Sequence, residues 1–138
     1  MALKSILLDT NAYTAFLLGR DVAREIVRRA DVLALSAVVL GELLAGFAAG
    51  SRQAQNRATL TKFLASPRVR VLAISDTTAD YYARTYAALR RKGRPIPTND
   101  LWIAASALEC GMRLYSYDAH FAEIDGLICG NSPEAFLL

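Results

Sequence analysis

Four carboxylates carry the chemistry that this chain could do. Asp9, Glu42, Asp100 and Asp118 each stand alone in apolar surroundings, where an isolated charge is expensive. Asp9 is the only charged residue between Lys4 and Arg20 and closes the apolar run Ile6, Leu7, Leu8, while Glu42 is the only one between Asp31 and Arg52. Asp100 is the sole charge between Arg94 and Glu109, and Asp118 follows Leu114, Tyr115, Ser116 and Tyr117. Surface carboxylates usually sit among other charges, so four solitary ones point to groups that the fold gathers for a common purpose. Carboxylates within a few ångströms raise one another's pKa and stay ionised together only around a cation. Oxygen donors with no histidine or thiolate suit Mg²⁺ or Mn²⁺. One or two such ions would orient a phosphodiester, acidify the attacking water and stabilise the leaving oxygen. The expected reaction class is metal-assisted phosphodiester hydrolysis at the site these carboxylates form.

Each residue also has a structural reading. Asp9 could serve as a turn residue after a strand, and Asp100 as a helix-capping carboxylate near the positive end of the dipole. Glu42 could be the buried partner of an arginine, and Asp118 could cap a short helix containing His120 and Phe121. Two other functions stay open at this level. An aspartyl-phosphate phosphotransfer enzyme would use Asp9 as nucleophile, although Asn11 stands where a second aspartate is usual. A catalytically silent RNA-binding or scaffold module would hold a metal only structurally. His120 is the only histidine, which excludes a histidine-pair ribonuclease, and no Gly-x-Ser-x-Gly supports a serine hydrolase.

The elements that must position these groups read as an α/β domain. Strands are expected at Lys4 to Leu8, Val32 to Leu35, Val69 to Ala73, Arg113 to Ser116, and near Leu127 to Cys129. Helices are expected from an Asp21 cap to about Ala30, over Val38 to Ala48, and from a Ser51 cap to about Leu64. Two more follow, from Thr77 or Thr78 through Leu89, and from a Thr98 cap to near Gly111. In the fourth of these, Ala79, Tyr82, Ala83, Tyr86 and Leu89 follow the i, i+3, i+4, i+7 rule of one buried face. In the second, Leu40, Leu43, Leu44 and Phe47 share a face, and the lack of a polar face opposite predicts a helix covered on both sides. Such alternation implies a mostly parallel central sheet of about five strands between helices. In such sheets ligands bind outside the carboxyl ends of the strands, where strand order reverses, and Asp9 and Asp118 directly follow two of the strands.

With 138 residues, 54% hydrophobic and 21% charged, the chain suits one domain and excludes disorder, so residues 1–138 are read as a single domain. No signal peptide or membrane span is expected, and a cytoplasmic protein with no membrane partner is. Cys110 and Cys129 lack metal-site spacing and read as reduced core thiols. Arginine makes up 13 of the 16 basic residues, a bias that suits phosphate recognition and a nucleic-acid partner as well as a plain solvated surface. Arg84, Arg90, Arg91, Lys92 and Arg94 precede Asp100 and form either a phosphate track into the site or a solvated helix end. Trp102, Tyr82 and Tyr86 are expected in packing rather than base stacking.

In order along the chain come Asp9-Thr10-Asn11 after an apolar strand and Glu42-Leu43-Leu44-Ala45-Gly46 on a helix. A third stretch holds Gly93, Ile96, Pro97, Asn99, Asp100, Trp102, Ile103, Ala104 and Ala105, and a fourth is Ser116-Tyr117-Asp118 with Phe121. This succession, from about Lys4 to Leu127, resembles the signatures of PIN-domain ribonucleases, and most closely the VapC toxins of toxin–antitoxin pairs. The resemblance implies a PIN-like domain and Mg²⁺ or Mn²⁺ bound at Asp9, Glu42, Asp100 and Asp118, with Asn11 and Ser116 as polar residues lining the site. Ser116 stands where threonine is common in the family and keeps the hydroxyl. It further implies an endoribonuclease toxin with an RNA substrate, a small cognate antitoxin protein and a homodimer.

Overall fold

The runs Ile6–Leu8 and Leu33–Ser36 are short, mainly apolar and buried throughout, as strands covered on both faces must be, while the strands toward the sheet edges are partly exposed. The computed structural model describes residues 2–137. Five strands, β1 (Ile6–Leu8), β2 (Leu33–Ser36), β3 (Val69–Leu72), β4 (Arg113–Tyr115) and β5 (Cys129–Gly130), form one sheet in the order β3-β2-β1-β4-β5. All four pairings are parallel, with Ile6 opposite both Leu33 and Arg113. The three central strands match the expected positions to within two residues at each end, while β5 begins two residues later than expected. Its chain meets the sheet from Ile128 onward, Ile128 O accepting from Leu114 N–H and Gly130 O from Ser116 N–H.

Six α-helices surround the sheet: α1 (Thr10–Leu17), α2 (Asp21–Arg29), α3 (Ala37–Ala49), α4 (Gln53–Leu64), α5 (Asp76–Lys92) and α6 (Thr98–Cys110). Short 3₁₀ turns cover Ala119–Glu123 and Pro133–Phe136. The eight-residue α1 is the one helix that apolar spacing did not announce. It starts because the Asp9 carboxylate accepts from Thr10 N–H at 2.8 Å, and it buries only Ala12, Tyr13 and Ala15. Several caps sit one or two residues from where they were expected. Arg20 and Arg52 precede α2 and α4 without a side-chain cap, Pro97 precedes α6, and Ser75 caps α5. Ser75 and Thr78 form a reciprocal capping box, Thr78 Oγ1 accepting from Ser75 N–H at 3.0 Å.

Two expected faces are corrected. On α3 the buried residues are Val39, Leu43 and Phe47, while Gly41, Ala45 and Ala48 are exposed, so the helix is covered on one side only. Lack of polar residues on a helix face does not require cover when the side chains are this small. On α5 the buried residues are Thr78, Thr85 and Leu89, and Ala79, Ala83 and Tyr86 face outward. Thr85 buries its hydroxyl by donating to Tyr81 O at 2.8 Å, which makes a polar residue acceptable where alanine was expected. The cysteines are both free; Cys129 is partly buried against the core, whereas Cys110 is exposed and is not the core thiol expected of it. Cys110 lies in the last turn of α6, outside the face that meets the sheet. Among the described residues no helix is long and apolar enough to cross a membrane.

Glycine substitutions at two positions have opposite expected effects. Gly111 ends α6 at φ +63°, a left-handed conformation that a side chain opposes, so Gly111→Ala should cost about 1–2 kcal/mol. Gly41 lies inside α3 with nothing within 4 Å of where a Cβ would stand, so Gly41→Ala should stabilise by about 0.5–1 kcal/mol. Denaturant melts of the two variants measure both signs.

Candidate active site

Strand order reverses between β1 and β4, and the carboxyl ends of these two strands hold the first and last of the four carboxylates. Asp9 follows β1, with its N–H donated to Tyr115 O at 2.9 Å, and Asp118 lies three residues past β4. Asp100 comes from the first turn of α6 and Glu42 from the second turn of α3. All four line one open cavity of about 430 Å³, together with Thr10, Asn11, Thr14 and Asn99. Asp9 and Asp100 are buried, Glu42 is half-buried and Asp118 exposed.

Neutral donors hold these acids in place. Thr10 donates its hydroxyl to Glu42 Oε1 at 2.6 Å, and Asn99 donates its amide to Oε2 at 2.7 Å. Ser116 donates to Asp9 Oδ2 at 2.6 Å while its oxygen accepts from Asp118 N–H at 3.0 Å. Asn11 reaches Asp118 Oδ2 at 3.3 Å and accepts from Tyr117 N–H at 3.2 Å. Asn11 therefore lines the cavity, whereas Ser116, nearly inaccessible, acts from behind Asp9. No arginine reaches Glu42, which sets aside the reading of that residue as half of a buried ion pair among the described residues.

Burial and like charge push the acids the same way. The Asp9 carboxyl is raised above its usual range, first by burial and further by Asp100 and Asp118, against the lowering effect of its bonds to Ser116 and Thr10. Burial likewise raises Asp100; the adjacent His120 lowers it, and Asp118 and Glu42 raise it again. Protons or a cation relieve such a site. The donor set fits a hard divalent ion, since one carboxylate oxygen each of Asp100 and Asp118 and one His120 nitrogen lie within 4.8 Å of one another.

His120, Thr10 and Asn99 are the site residues that residue-by-residue reasoning left without a role. His120 Nε2 lies 2.8 Å from Asp100 Oδ2, inside ion-pair distance but without the alignment of a hydrogen bond. Its signal was position, two residues from Asp118; Thr10 and Asn99 each adjoin an acid in the quoted motifs.

The basic group lies elsewhere. None of Arg90, Arg91, Lys92 and Arg94 lines the acidic cavity. Lys92 pairs with Asp125 at 2.8 Å and donates to Glu123 O, and Arg90 folds onto Tyr86, donating to its hydroxyl at 3.0 Å. Arg91 and Arg94 are exposed. Trp102 and Tyr82 stack with ring centroids 4.2 Å apart between α6 and α5, the packing role expected of them.

The chain has relatives among known proteins. The PIN domain family matches residues 6–127. The chain is 33% identical over 122 residues to Ribonuclease VapC5 of Mycobacterium tuberculosis, covering 86% of this chain and 87% of the relative. It is 31% identical to Ribonuclease VapC2 of Rickettsia felis, over 78% of this chain and 79% of the relative. Among solved structures, VapBC2 of Rickettsia felis bound to a promoter DNA fragment superposes with a TM-score of 0.80 at 28% identity, covering 93% of this chain and 98% of that one. VapBC-5 of Mycobacterium tuberculosis gives 0.69 at 30% identity, over 93% and 97%.

The raised carboxyl of Asp100 sets a pH dependence. A carboxyl whose pKa rises on folding supports the fold fully below its unfolded value, near 3.8, and that support is lost as pH climbs through the raised value. Without divalent ions, Asp100→Asn should therefore melt at or above the wild-type temperature at pH 7, with the difference shrinking toward pH 4. A variant that melts several degrees below wild type at pH 7 would make Asp100 a structural partner instead.

Proposed function

This chain belongs to the PIN-domain family, and from that we propose that it is a Mg²⁺- or Mn²⁺-dependent endoribonuclease acting as the toxin of a toxin–antitoxin pair. The observation that carries the reading is the meeting of four acids from four separate elements in one open cavity at the switch point of the sheet. Asp9, Glu42, Asp100 and Asp118 would hold the ion, with His120 beside Asp100 as a further donor. When bound, the ion supplies charge for the scissile phosphate and an acidified water as nucleophile.

The chain's own residues do the positioning. Thr10 and Asn99 each occupy one oxygen of Glu42, which fixes its carboxylate and leaves the remaining lone pairs to an ion. Ser116 favours the ionised form of Asp9 by donating to it, against the effect of burial, and couples it to Asp118 through the Asp118 N–H. Asn11 orients Asp118, the most exposed of the acids. Arg90, Arg91 and Arg94, at and just beyond the end of α5, supply positive charge for the phosphates of a longer RNA, with Lys92 committed mainly to Asp125.

The similar proteins are VapC ribonucleases and VapBC complexes, which supports a cognate antitoxin as partner. The proposal further makes the chain a single-domain cytoplasmic protein that forms a homodimer. Such a toxin harms its host through the nuclease site. Growth arrest on expression should be relieved by Asp9→Asn at matched protein level.

Cleavage of single-stranded RNA by purified protein should require Mg²⁺ or Mn²⁺, and full activity in excess chelator would defeat the proposal. Asp9→Asn should lose more than about a hundredfold in kcat/KM, and Ser116→Ala about 10–100-fold, with Ser116→Thr retaining most activity. Binding of RNA should weaken with salt, and alanine at Arg90, Arg91 and Arg94 should reduce the slope of log K against log salt by about 0.7 for each phosphate no longer engaged.

A further inference from the structure

We propose that Tyr117 is a stacking platform for one RNA base beside the scissile phosphate, with Arg20 holding a neighbouring phosphate. The inference rests on the ribonuclease reading above and concerns where the strand leaves the acidic cavity.

A groove runs out of that cavity along one side. Asn11 and Thr14 line both the cavity and the concavity next to it, of about 300 Å³. Leu18, Arg20 and Tyr117 line that second concavity and also a third, of about 730 Å³, that opens beyond. The three therefore adjoin in series along one side of the protein, and Tyr117 is next to Asp118 in the chain.

Tyr117 is exposed but held. Its hydroxyl pairs with that of the fully buried Tyr115 at 2.7 Å, its ring meets the Tyr115 ring edge-on at 5.6 Å, and its N–H donates to Asn11. With hydroxyl and N–H satisfied inside the protein, 44% of the residue stays open to solvent. What it offers a ligand is therefore a ring, fixed at little further entropy cost. Leu18, 66% exposed, gives the groove an apolar second wall.

Charge decides the occupant. Arg20 is the one cation lining the three concavities, and among the described residues its guanidinium makes no hydrogen bond or ion pair. A free guanidinium next to a fixed aromatic ring, one step from a phosphodiester-cutting site, matches the alternating phosphate and base of a single strand. A docked peptide helix would want a longer apolar stripe, and here Arg20, Asp21 and Asn131 interrupt it.

The test uses the full chain carrying Asp9→Asn, so that RNA is bound and not cut, and short RNAs with 2-aminopurine placed at each position in turn. The cleaved bond is mapped separately with wild type. Fluorescence should be quenched on binding at one position flanking that bond. Tyr117→Ala should abolish the quenching there and weaken binding about tenfold, the lower part of the range for one stacked base. Tyr117→Phe, which loses only the hydroxyl, should keep both. Arg20→Ala should lower the salt slope by about 0.7. The Tyr117→Ala cost should fall below about threefold on RNA made abasic at that one position. Quenching and affinity untouched by Tyr117→Ala, in a protein whose wild type cuts RNA, overturn the stacking proposal alone. Loss of antitoxin binding with RNA binding intact would overturn it in favour of a protein-docking surface. No RNA cleavage by wild type, with no binding, overturns the ribonuclease reading itself.

Discussion

Like charges crowded into one cavity repel, and this protein answers that repulsion mainly with neutral donors, His120 beside Asp100 being the one basic side chain in contact with the four acids among the described residues. Thr10, Asn99, Ser116 and Asn11 satisfy carboxylate oxygens without cancelling their charge. An arginine in the same places would bind more strongly and would fill the role of an exogenous ion. Hydroxyls and amides fix the geometry and leave the negative potential in place, so Asp9 and Asp100 remain raised by burial and by the neighbouring acids. The site is held short of electrostatic balance, which is the condition for taking up a divalent cation.

The same residues serve the fold. Asp9 closes β1, opens α1 by accepting from Thr10 N–H, and faces the cavity with its other oxygen held by Ser116. Ser116 links the end of β4 to β5 through its N–H and to β1 through its side chain. Changes at such positions affect local structure and chemistry together. Conservative replacements that keep the donor, such as threonine for Ser116, separate the two effects better than truncations.

Charge is distributed unevenly over a chain whose net value is only +3. The acids converge inside, while the arginines lie around the surface, with Arg91 and Arg94 exposed near the end of α5 and Arg20 at the start of α2. A phosphate strand approaching the protein is drawn by the outer charges over a distance of about one Debye length. Only at the cavity does it meet carboxylates, where an ion must intervene.

The sequence by itself determined the parallel α/β class, the positions of the central strands and the four acids. Those signals are local: an apolar run of strand length, and a charge where no other charge is near. Three things needed the tertiary structure. The helix α1 is too short and mixed for periodicity to reveal, and exists because a strand-end carboxylate caps it where β1 leaves the sheet. The buried face of α5 turned toward Thr78, Thr85 and Leu89, since burial depends on where α6 lies and a threonine can satisfy its hydroxyl within its own helix. The partners of the acids were likewise undecidable, because Glu42 lies 57 residues from Asn99, and Asp9 107 from Ser116. A residue's type states what bonds it can make; only the crossing of distant elements selects which one it does.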